Sequence, residues 1–116
     1  MISGVGTDIV EVSRIEQAIK RWGNHFLNHV FTDEEIAYCL RYKFPAQHFA
    51  GRFAAKEAVI KALPDIKNFS WTDIEILNEP TGKPLCRVTN KNLKQPIHLS
   101  ISHTAEYAIA FAVIAA

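Results

Sequence analysis

The sequence predicts an α+β domain, and three observations predict it. Stretches rich in helix formers, two of them opened by start signals, occupy residues 13–63. Runs rich in Ile, Val and Ala, broken by turn residues, occupy most of residues 71–116. A further β-rich run opens the chain at residues 2–12. Helices mostly in the first half would therefore pack on an antiparallel sheet built mostly from the second.

Taken in order, residues 2–12 read as a strand. With period two, Gly4, Gly6, Asp8 and Val10 share one face, and Val5, Thr7, Ile9 and Glu11 share the other. Asp8 thus projects beside two glycines. Glycine in a strand marks close approach by a ligand or another backbone; an inward charge on an edge strand that blocks aggregation is the other reading. Ser13 and Glu16 have capping-box spacing, and the helix they start turns Ile15, Ala18, Ile19 and Trp22 inward. Arg14, Gln17 and Arg21 fall together on its outer face.

Residues 26–31 read as a short apolar turn, and Thr32 with Glu35 supplies a second capping box. Pro45 suits the first turn of the longest helix, and Pro64 ends it. On that helix Phe49, Phe53, Ile60 and Leu63 form an apolar stripe, yet Lys56 projects from its middle. Lys56 could snorkel, with its methylenes on the core and its ammonium in water, or it could mark a functional site. Glu57 stands at one rim, beside small residues Ala50, Ala54 and Ala58.

In the second half, residues 71–77 and 85–88 read as strands joined by the turn Glu79-Pro80-Thr81-Gly82-Lys83-Pro84. Residues 90–95 read as a polar connector. Residues 97–103 and 107–114 form a hairpin through Thr104-Ala105-Glu106, and the apolar end of the chain reads as a buried strand.

Composition narrows the functional classes. The 116 residues are 48% hydrophobic and 22% charged, an ordinary globular mixture with room for one core, so residues 1–116 read as a single domain. A net charge of +1 gives no case for a nucleic-acid surface. No apolar run is long enough to span a bilayer. Cys39 and Cys86 lack metal spacing and read as reduced thilos of a cytoplasmic protein.

The chemistry-bearing residues are Asp8, Lys56, Glu57 and His103. Two carboxylates suit Mg²⁺, which takes one or two of them and completes its shell with water and phosphate oxygens. A nearby lysine would neutralise further phosphate charge. No phosphate-binding glycine loop and no serine-nucleophile elbow is present.

Gly4-Val5-Gly6-Thr7-Asp8-Ile9 with Arg14-Ile15, Gly51-Arg52-Phe53-Ala54-Ala55-Lys56-Glu57-Ala58, and Ile101-Ser102-His103-Thr104 running into Glu106-Tyr107-Ala108 together resemble the 4′-phosphopantetheinyl transferases. The likeness is to the short, single-domain members, and it spans nearly the whole chain. It implies transfer of the phosphopantetheine arm of coenzyme A to a serine of an apo acyl carrier protein, with release of adenosine 3′,5′-bisphosphate, in support of fatty acid biosynthesis. It further implies Mg²⁺ on Asp8 and Glu57, and Lys56 beside the reacting phosphate. Glu57 or a metal-positioned water would be the proton acceptor. Arg52, Lys61, Thr81, Gly82, Lys83, Pro84, Ser102 and His103 would contact coenzyme A. Arg14 and Arg21 would dock the acidic carrier, and the assembly would be a homotrimer with sites between subunits. Pro64-Asp65-Ile66-Lys67 stands where the family commonly has Gly-Thr-Gly.

Overall fold

The computed structural model describes residues 1–64, 69–89 and 93–116. Four helices, α1 (Val12–Trp22), α2 (Asn24–Val30), α3 (Asp33–Leu40) and α4 (Pro45–Ala62), lie between the first strand and the remaining four. The strands are β1 (Ile2–Glu11), β2 (Ile74–Asn78), β3 (Pro84–Val88), β4 (Ile97–His103) and β5 (Tyr107–Ala115). The expected α+β class holds, with one refinement. The strands form two sheets: an antiparallel β1-β5-β4 sheet with β5 in the centre, and a separate β2–β3 hairpin.

α4 crosses the larger sheet at unusually short range. A Cβ at Gly4 would lie 1.9 Å from the Ala62 carbonyl oxygen, and one at Gly6 would lie 1.9 Å from that of Ala58. The two glycines therefore admit the backbone of α4, not a ligand or a second subunit. The alanines answer them. Ala54 and Ala58 of α4 and Ala110 and Ala112 of β5 are fully buried against one another. The small-residue stripe is clearance for the chain's own sheet.

Three local expectations change. α1 has Glu11, not Ser13, as its N-cap, and without a side-chain bond. β1 runs straight into the helix, and the Val12 N–H donates to the Glu106 carbonyl at 2.8 Å instead. Residues 24–30 form a helix where a turn was expected; Leu27 and Val30 are buried beneath α1 and α4, and tertiary packing outweighs a polar, short sequence. Trp71–Asp73 is a single 3₁₀ turn preceding β2. The Thr32–Glu35 capping box is present in full. The expected connector at residues 90–95 lies partly, and the loop after α4 mostly, outside the described residues.

β5 alternates rather than being wholly buried. Ala108, Ala110, Ala112 and Ile114 face α4, while Tyr107, Ile109 and Phe111 are each about half exposed on the other face. Ile9 pairs with Ile109 and Thr7 with Phe111 across β1, and Ser102 and Ser100 continue those rows on β4. With Val5 and Ile9 exposed as well, this chain leaves one face of its principal sheet apolar and uncovered.

Candidate active site

Asp8 projects from β1 toward α4, and Glu57 and Lys61 project from α4 toward β1. Glu57 and Lys61 are four residues apart and therefore stack on one helix face. The Lys61 Nζ lies 3.4 Å from Asp8 Oδ1 and donates to the Thr7 carbonyl at 3.0 Å. Asp8 and Glu57 share a cleft of about 430 Å³ with Arg14, Ala18, Phe26 and Phe53. Burial raises the Glu57 carboxyl above its ordinary value, the negative charge of Asp8 raises it further, and Lys61 partly offsets both. A half-buried carboxylate pair whose two charges repel is a place where a divalent ion brings relief. No group of three or more His, Cys, Asp or Glu side chains gathers into a metal cluster among the described residues. Two carboxylates, without His or Cys, are the donor chemistry of a hard, oxygen-preferring ion such as Mg²⁺.

Lys56 does not join them. It lies one step, about 100°, around the helix from Glu57, and its side chain is fully buried. Its ammonium pairs with Glu35 Oε1 at 2.6 Å and donates to the Val30 and Trp71 carbonyls at 2.7 and 3.1 Å. All three donors are in use, so the expected place of Lys56 beside a reacting phosphate is corrected. It neither snorkels nor reaches the carboxylate cleft. Lys61 is the lysine that pairs with Asp8. Burial lowers the Lys56 pKa, and the Glu35 carboxylate works against that shift.

The remaining predicted residues gather on another face of α4. Arg52, five positions before Glu57, lies about 140° away around the helix. It is 5% exposed. One Nη donates to Asn78 Oδ1, the guanidinium stacks 4.0 Å from the Tyr38 ring centre, and Nε has no hydrogen-bond partner among the described residues. His103 approaches His48 edge-on at 5.3 Å, and His48 stacks on Tyr42 at 3.7 Å. Burial, His103 and Arg52 all depress the His48 pKa. Arg52, His48 and His103 line a second cleft of about 160 Å³ together with Gly51, Gly82 and Pro84. Gly82 closes the β2–β3 turn at φ +91°, and its carbonyl accepts from Asn78. Thr81 and Lys83 stand exposed on that turn. Ser102 is not in this cleft, because alternation along β4 puts it on the open sheet face opposite Ile109.

One chain thus holds two groups of predicted residues on different faces of α4, carboxylates on one and a cationic, aromatic cleft on the other. Sequence reasoning missed Glu35, Tyr38, Tyr42, His48 and Asn78. The capping box at Thr32 flagged Glu35 only as a helix-end residue, and the others carried no motif. A larger apolar groove of about 660 Å³, between α1 and the start of α4, contains none of the predicted site residues. Arg14 and Arg21 are exposed on α1, Arg14 at the rim of the carboxylate cleft and Arg21 over the Trp22 ring at 5.0 Å.

Both thiols are free. Burial above all pushes Cys39 and Cys86 up to about 12, which makes them unreactive. No helix among the described residues is long and apolar enough to cross a membrane.

The chain is 50% identical to a holo-[acyl-carrier-protein] synthase of Protochlamydia amoebophila over 119 aligned positions, covering 97% of this chain and 98% of the relative. A similar protein of the same name from Ehrlichia canis is 50% identical, with 98% and 94% covered. Among solved structures, the Helicobacter pylori holo-[acyl-carrier-protein] synthase in complex with coenzyme A superposes with a TM-score of 0.86 at 36% identity, covering 96% of this chain and 99% of that one. The Bacillus anthracis synthase in complex with CoA (3′,5′-ADP) gives 0.84 at 37% identity, with 98% and 96% covered. The family model matching residues 4–112 takes in β1 with Asp8, all of α4 and the His103 strand end; the chain belongs to the 4′-phosphopantetheinyl transferase superfamily.

Proposed function

We propose that this chain transfers the 4′-phosphopantetheine group of coenzyme A to a serine hydroxyl of an apo acyl carrier protein, in the service of fatty acid biosynthesis. The observation that carries the reading is the convergence of Asp8 and Glu57 on one cleft, with Lys61 against Asp8, in a chain matched over nearly its full length by holo-[acyl-carrier-protein] synthases. Asp8 and Glu57 would hold Mg²⁺, which when bound polarises the diphosphate and offsets its charge. The carrier serine oxygen bonds to the phosphorus of the arm. The phosphorus–oxygen bond to the nucleotide breaks, and adenosine 3′,5′-bisphosphate leaves with the electron pair. Glu57, its carboxyl raised above the ordinary range, suits acceptance of the serine proton. Lys61, against Asp8, would balance negative charge as the nucleotide departs. Arg52, His103 and the residue 81–84 turn supply cationic and polar contacts for the nucleotide end of coenzyme A.

The reading includes a homotrimer. Two half-sites facing different directions and an uncovered apolar sheet face are both accounted for if copies pack through the β1-β5-β4 sheet, each lending its His103 cleft to a neighbour's carboxylates. Ser102, on that open face, would then reach a site as well. Free, unreactive thiols fit the reducing cytoplasm.

Incubation with coenzyme A, Mg²⁺ and an apo acyl carrier protein should add the mass of one phosphopantetheine arm to the carrier, and EDTA should prevent it. An unmodified carrier across several candidates would refute the transfer, and activity indifferent to EDTA would refute the metal.

Docking has its own test. The exposed Arg14 guanidinium stands at the mouth of the carboxylate cleft, where an acidic partner would present its serine. Arg14→Glu should raise the carrier KM by about tenfold, since each 1.4 kcal/mol is a factor of ten, and leave coenzyme A binding unchanged in calorimetry. Equal losses for both substrates would place Arg14 at the coenzyme instead.

A further inference from the structure

We propose that Lys56 and Glu35 are positioning residues for Glu57, their buried pair setting the roll and height of α4 so that the neighbouring carboxylate faces Asp8. The proposal rests on the reading of Asp8 and Glu57 as the cation site.

The need for such a device comes from the helix itself. α4 meets the sheet through Ala54, Ala58 and Ala62 on one side and glycines and alanines on the other. Methyl groups and bare backbone give close contact but few interlocking ridges, so this surface fixes distance better than it fixes rotation. Directional bonds have to supply the rest. Lys56 makes three of them, to the Val30 carbonyl at the end of α2, to the Trp71 carbonyl before β2, and to Glu35 of α3.

Glu35 extends the hold. Its second carboxylate oxygen accepts the Ile76 N–H of β2 at 2.7 Å, and Oε1 also accepts the Thr32 N–H at 2.9 Å. Thr32 in turn donates to Glu75 at 2.6 Å. One point on α4 is thereby tied to α2, α3 and β2, on the side of the helix away from β1. Glu57 is the next residue, so any roll of α4 about its axis swings that carboxylate directly. A displacement near 1 Å at a catalytic group can cost about 10²-fold in rate, and loss of groups that orient metal ligands commonly costs about 10–100-fold in affinity.

The variant that isolates positioning removes the pair without stranding a charge. Lys56→Met with Glu35→Gln keeps similar volumes, and replacing both members of a buried ion pair is far gentler than removing one. Mn²⁺ would be titrated into protein saturated with coenzyme A and its free ion followed by electron paramagnetic resonance. Wild type should bind and Asp8→Asn should not. The folded double variant should bind at least about tenfold more weakly, with kcat reduced and coenzyme A affinity retained. Glu35→Gln alone, which leaves the Lys56 ammonium without its carboxylate, should weaken Mn²⁺ binding at least as much as the double variant.

Wild-type Mn²⁺ affinity and kcat in a folded double variant would overturn the proposal and leave the pair a role in stability only. Failure of both variants to fold would overturn it too, since the pair would then have no hold on Glu57 separable from its hold on the chain. Equal binding by wild type and Asp8→Asn is a different result: it would remove the underlying cation site.

Discussion

Glu57→Gln should abolish phosphopantetheine transfer and at the same time make the protein more stable. The loss follows from chemistry. On the proposed reading Glu57 is one of two carboxylates that hold the divalent ion and also the proton acceptor, and forfeiting several kcal/mol of transition-state stabilisation costs on the order of 10³-fold. The gain in stability follows from electrostatics. The Glu57 pKa is raised in the fold from its ordinary 4.5, first by burial and then by Asp8. A carboxyl with a raised native pKa binds more protons folded than unfolded, so stability rises as pH falls from neutral through the native value. Wherever the group is ionised in the fold, its charge is a cost. Glutamine removes that cost, and the thermal midpoint without metal should rise by about 1–5 °C. Mg²⁺ relieves the same repulsion, so it should stabilise wild type and leave the variant unmoved. A lower midpoint for Glu57→Gln would mean that Glu57 is held by a stabilising partner within the chain.

Much of this site was legible in the sequence because it rests on short-range regularities. Asp8 at a fixed phase of a glycine-bearing strand and Glu57 at the rim of a proline-started helix read as a carboxylate pair, and the two do share one cleft; Lys61, which reads only as a coenzyme contact, is the lysine that lies against Asp8. Lys56 shows where that reasoning stops. Its position in the middle of an apolar stripe correctly marked it as an exception. Its partner Glu35, however, sits on another helix, and only packing brings the two to 2.6 Å. The two glycines of β1 gave the same kind of half-answer: close approach was foreseen, but the approaching group is the backbone of α4 rather than a ligand. α2 escaped because seven residues with Asn and His among them have weak intrinsic helicity and owe their conformation to the burial of Leu27 and Val30.

The second large effect concerns assembly. Glutamates at Ile109 and Phe111, both about 45% exposed in the chain alone, should convert the protein to monomers in sedimentation or light scattering and remove transfer, while circular dichroism shows the fold retained. The fold should survive because these side chains point away from α4, whose own contacts to β5 run through Ala108, Ala110 and Ala112. Assembly should not survive, because burying carboxylates without partners against another apolar sheet costs several kcal/mol for each one. An active monomer would show that one chain's two half-sites do not need a neighbour.

Subunit mixing tests the central claim, a site completed between copies, most directly. Asp8→Asn and His103→Ala should each be inactive as homo-oligomers, for they disable opposite half-sites. Co-refolded in equal amounts, they should regain about a quarter of wild-type transfer, since random mixing in a cyclic assembly joins an intact carboxylate cleft to an intact His103 cleft at about one interface in four. A mixture no more active than either parent, with mixed oligomers demonstrated by native mass spectrometry, would contradict the account.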